Sequence, residues 1–140
     1  MRKTIFGLVL GTALGVATAA SAHHAAQAQF DLTKNITITA PLSKTELINP
    51  HSYLHFLVKD KDGKTYDLSL ETVTPVGLQR AGLSVRDNLK VGDTFKITYS
   101  PARDGKNVGF LHAITLRDGT FISVSAPQNI NAAREQQSQQ

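Results

Sequence analysis

Between residues 35 and 124 apolar and polar positions alternate mostly with period two, and that alternation predicts the elements. Asn35-Ile36-Thr37-Ile38-Thr39-Ala40-Pro41-Leu42 alternates aliphatic with hydroxyl side chains, the pattern of a half-buried first strand. Pro41 has no N–H to give a ladder, so an edge, bulge or bend is expected there. After a turn at Asn49-Pro50, residues 51–58 read as a second strand with two unlike faces. Leu54, Phe56 and Val58 share the core face; His51, Tyr53, His55 and Leu57 share the other. Asp62-Gly63 is a hairpin signal leading into a third strand over residues 65–70. That strand turns Tyr66, Leu68 and Leu70 inward and leaves Thr65 and Asp67 outside.

The period then changes. Thr74 as N-cap and Pro75 at the first helical position predict a short helix, with Val76, Leu78 and Ala81 as its inner stripe and Gly82 just past its end. Ser84, with Asp87 three residues on, predicts one more capped turn. Residues 94–99 form the next strand with Phe95, Ile97 and Tyr99 inward, and residues 108–116 a long last one. Asp118-Gly119 then turns into a short tail strand over residues 120–124. Five strands with one short helix between the third and fourth predict an all-β fold, a small five-stranded OB-like antiparallel barrel. Another small antiparallel barrel or sandwich is the competing architecture.

Outside residues 35–124 the pattern stops. Arg2 and Lys3 precede an apolar run over residues 5–16, and Ala20-Ser21-Ala22 fits a secretory cleavage site, so residues 1–22 are expected to be a signal peptide. The run is too short for a bilayer span, so no membrane span is expected once the signal is removed. The location it implies is periplasmic or secreted. Ala26-Gln27-Ala28 offers a second cleavage site. Residues 23–34 read as an N-terminal arm and residues 35–124 as the barrel. Residues 125–140, rich in Asn, Gln and Ala, are expected to be a disordered tail.

Charge changes the picture only by exclusion. Loss of Arg2 and Lys3 leaves 13 basic residues against 11 acidic ones, with the lysines scattered among acids, so no nucleic-acid partner is expected. There are no cysteines, which excludes thiolate metal sites and thiol catalysis.

Several short motifs follow one another along the chain: His23-His24, Asn49-Pro50-His51, Leu78-Gln79-Arg80-Ala81-Gly82, Leu89-Lys90-Val91-Gly92-Asp93 and Arg117-Asp118-Gly119. The set resembles a family of small secreted proteobacterial proteins, a domain of unknown function with an N-terminal His-His and an Asn-Pro-His signature. The likeness implies a compartment and a compact β-barrel and brings no activity with it. The chain departs from it near Tyr53 and Leu54, where the family tends to carry a tryptophan.

Two candidate sites follow. Cleavage after Ala22 would start the mature chain at His23-His24, where the free amine and an imidazole can chelate one ion. His51 would then complete three nitrogens suited to Cu(II), with Zn(II) the second choice. The other candidate needs no metal: His51, Tyr53 and His55 on the second strand with Asp67 on the third form a polar-aromatic face for a saccharide, peptide or protein. No catalytic motif appears, and Asp60, Asp62, Asp93, Asp104 and Asp118 sit in turns, so a non-enzymatic binding module is expected.

Overall fold

The computed structural model describes residues 26–124. The expected signal peptide, His23, His24 and the expected tail over residues 125–140 lie outside the described residues. The elements are β1 (Ile36–Glu46), β2 (Tyr53–Lys59), β3 (Thr65–Glu71), α1 (Pro75–Arg80), β4 (Thr94–Pro101), β5 (Val108–Thr115) and β6 (Phe121–Ser123). They form one six-stranded sheet in the order β3-β2-β1-β4-β5-β6, and a β3–β5 pairing closes the first five into a barrel. The OB-like order is therefore present, with β6 added outside it. All pairs are antiparallel except the closing one, where Leu70 stands opposite Gly109 and Glu71 opposite Phe110 in parallel.

Two bulges shape the barrel. β1 serves both neighbours: residues 36–41 pair with β4, and from Leu42 onward the strand pairs with β2. Ser43 is the extra residue at the handover, since Leu42 opposes Phe56 and Lys44 opposes His55. β1 thus runs four residues past Leu42, where the sequence pattern ends. The missing N–H of Pro41 falls where β1 changes partners, and so it does not stop the strand. On β5 the extra residue is His112, between Leu111 opposite Tyr99 and Ala113 opposite Thr98. An extra residue re-aims the side chains on its strand.

The core lies inside the barrel, where Leu42, Leu54, Phe56, Leu70, Phe95, Ile97, Leu111 and Ile114 are buried. Of the expected inner stripe, Leu78 is buried and with Leu83 and Leu89 closes one end of the barrel, whereas Val76 is exposed. Thr74 caps α1 by accepting from Gly77 N at 3.0 Å, and Gly82, at φ 96°, takes the left-handed turn beyond it. The next turn is capped differently from expectation. Asn88, not Asp87, returns its side chain to Ser84 N at 2.9 Å and also holds Gly82 O, because it can both accept and donate.

The arm is anchored at the start of the hairpin between β4 and β5. Residues 26–29 make a helical turn, Phe30 bridges Ala102, and its buried ring meets Phe110 with centroids 5.9 Å apart.

Candidate functional site

The turn between β2 and β3 sets the first half of the site. Asp60 Oδ1 accepts from Asp62 N and Lys64 N, and Gly63 adopts φ 79°, so the hairpin pairs Lys59 with Thr65. Counting outward from there, Leu57 faces Asp67, His55 faces Ser69 and Tyr53 faces Glu71. The Ser43 bulge sets the second half by bringing Glu46 opposite Tyr53 and Lys44 opposite His55. One row across the outside of the barrel therefore reads Glu46, Tyr53, Glu71, Phe110.

Tyr53 sits between two carboxylates in that row. Partial burial raises its phenol above the ordinary value, and the charge of Glu71 and a hydrogen bond to it raise it further. Glu46 is held below its ordinary value, chiefly by its hydrogen bond to the Lys44 ammonium.

Both histidines of the face are oriented by acids. His55 Nδ1 lies 2.7 Å from Asp67 Oδ2, and its Nε2 points at Glu46 Oε1 from 3.4 Å without a hydrogen bond. Both ring nitrogens of His55 therefore face a carboxylate. The bulge residue Ser43 ties the pair down, donating to His55 O at 3.1 Å with Asp67 Oδ1 at 3.3 Å. His51 lies outside β2, in the loop after a cis Asn49–Pro50 bond, and its Nδ1 meets Glu71 Oε1 at 2.5 Å. Its side chain is 45% exposed, so Nε2 can face solvent.

The residues expected to form a ligand face, His51, Tyr53, His55 and Asp67, lie on the outside of the barrel, with Leu54 and Phe56 buried inside it. Thr65 stands opposite Lys59 at the far end of the hairpin, away from Glu46 and Glu71. Sequence reasoning missed Glu71, Glu46 and Ser43. Glu71 could have been found by counting from the Asp62-Gly63 turn. Glu46 could not, because the bulge and an irregular loop intervene.

Among the described residues no three His, Asp or Glu side chains are grouped to hold a metal ion. His112 is wholly buried, with Nε2 at 2.7 Å from Ser100 Oγ, and is not part of this face. Asp60, Asp104 and Asp118 accept backbone N–H groups in their turns, as expected of turn aspartates. Among the described residues no helix is long and apolar enough to cross a membrane.

A model of a family of unknown function, DUF6152, matches residues 12–112, and the chain belongs to that family. No curated protein and no solved structure matches the chain.

Proposed function

We propose that this DUF6152 member is an exported, non-catalytic binding module that seats a ligand on the outer face of β1, β2 and β3. The observation that carries this is the row Glu46–Tyr53–Glu71, with His51 and His55 each fixed by a carboxylate at its edge. Acceptors on both sides of an aromatic ring suit a polyhydroxylated ligand, which can lay a sugar face on the ring and donate hydroxyls to the acids. An oligosaccharide is the ligand class favoured. Glycan-array binding by the wild-type chain, lost in Tyr53→Ala at unchanged melting temperature, is the expected result. Binding that survives Tyr53→Ala, or no glycan bound at all, would overturn the saccharide assignment.

A second reading has its own support. Metal-bound imidazoles usually donate their other N–H to a carboxylate, and His51 already does so to Glu71, leaving Nε2 free as a ligand. The arm is fastened through Phe30 to Phe110, which is opposite Glu71. In the sequence His24 stands six positions before Phe30. Cu(II), or Zn(II) less well, would then be held by three nitrogens: the N-terminal amine, an imidazole of the His23-His24 pair and His51. Mass spectrometry of the mature N-terminus decides whether this is available, because a chain starting at Gln29 would lack both histidines.

A further inference from the structure

The end of the barrel carrying α1 presents a different surface from the row just described. A cavity of about 350 Å³ is floored by Leu78, Leu83 and Leu89 and walled by Leu47, Pro75 and Val85. Its apolar surroundings are open to water: Leu47 is 41% exposed and Val85 44%, and their near neighbours Ile48 and Val76 reach 50% and 53%. Apolar side chains clustered this way on a small domain mark an interaction surface, since each would gain by leaving water.

We infer that this groove is where two copies of the chain meet about a two-fold axis. The argument for a second copy is charge. Arg86 and Asp87 stand next to each other on the cavity lining, both exposed, and neither has an ion-pair partner among the described residues. A two-fold rotation sets the arginine of one copy against the aspartate of the other, twice over, so the surface is complementary to itself. An anionic lipid surface would instead meet an attracting and a repelling charge side by side. It would also find none of the aromatic side chains that anchor proteins at a bilayer interface, since the cavity lining contains none. Exposed apolar side chains on the lining, Leu47 and Val85, stand beside a recess on the same chain, the geometry that an isologous contact requires.

Sedimentation velocity on the full chain as the cell processes it, over a wide dilution series, is the test. Dimers are expected, with Val85→Glu shifting the chain to monomer. Arg86→Asp and Asp87→Arg should each raise the dimer dissociation constant about tenfold, and the double reversal should restore it. The two reversals lie on exposed turn positions, so they give an answer even if Val85→Glu fails to fold. Monomers throughout the series would overturn the inference, as would a double reversal that stays weak. Binding of vesicles rich in anionic lipid by a monomeric wild-type chain, abolished by Val85→Glu, would overturn it in favour of a membrane partner.

Discussion

The Ser100 hydroxyl fixes the tautomer of His112. Ser100 Oγ donates its one proton to Lys34 O at 2.8 Å, so at 2.7 Å from His112 Nε2 it can only accept. The ring proton is therefore on Nε2, and Nδ1 is a bare acceptor, buried without a hydrogen-bond partner. Phe110 closes one side of the ring edge-on, with centroids 5.5 Å apart.

Acid should find this residue. Burial depresses the His112 pKa from 6.5 to about 4, so the fold favours the neutral ring while the unfolded chain takes up a proton below pH 6.5. The stability from this site is full above pH 6.5, is lost as pH falls from 6.5 towards 4, and changes no further below that. The loss should approach ~3 kcal/mol. Thermal unfolding across that window measures it. His112→Gln, which can keep the donor to Ser100, should flatten the slope, and an unchanged slope would remove His112 as its source.

At the alkaline end the expectation concerns Tyr53. Its phenol is raised by burial first and by Glu71 second, and that of Tyr99 by burial. Ultraviolet titration should show both ionising above the ordinary tyrosine range. Glu71→Gln should bring Tyr53 part of the way down and leave Tyr99 where it was. A Tyr53 that titrates normally in the wild type would mean that it is not enclosed between the two acids.

Barrel closure rests on a close approach at Gly109. A methyl group there would meet Tyr99 Cδ2 at 2.6 Å, Ser100 O at 2.8 Å and Leu70 Cδ2 at 3.0 Å. Gly109 is opposite Leu70 in the β3–β5 pair, so the clash falls on the seam of the barrel. Gly109→Ala should destabilise by about 1–3 kcal/mol, the usual cost of overpacking a filled interior. Denaturant unfolding gives the number directly, and a neutral substitution would show that the seam can widen.

For the metal reading, Cu(II) should raise the melting temperature by mass action. His51→Ala should abolish most of that gain. Glu71→Gln, which leaves His51 in place but unoriented, should weaken binding roughly tenfold or more. No shift with metal in a chain shown to begin at His23 would discard this reading and leave the saccharide proposal untouched.

The sequence by itself determined the inventory of elements and which face of β2 is wet. Period-two alternation forces Leu54 and Phe56 to one side and Tyr53 and His55 to the other, and a strand between a core and water has only one way to turn. The Asp62-Gly63 turn even fixed the register that sets Tyr53 against Glu71. Only the tertiary structure decided that Glu46 flanks Tyr53, that His112 lies inside rather than beside the other imidazoles, and that the arm reaches Phe110. Each depends on a single extra residue in a strand or on a contact across many positions. A bulge leaves almost no trace in a hydrophobic pattern, yet it changes every pairing that follows it.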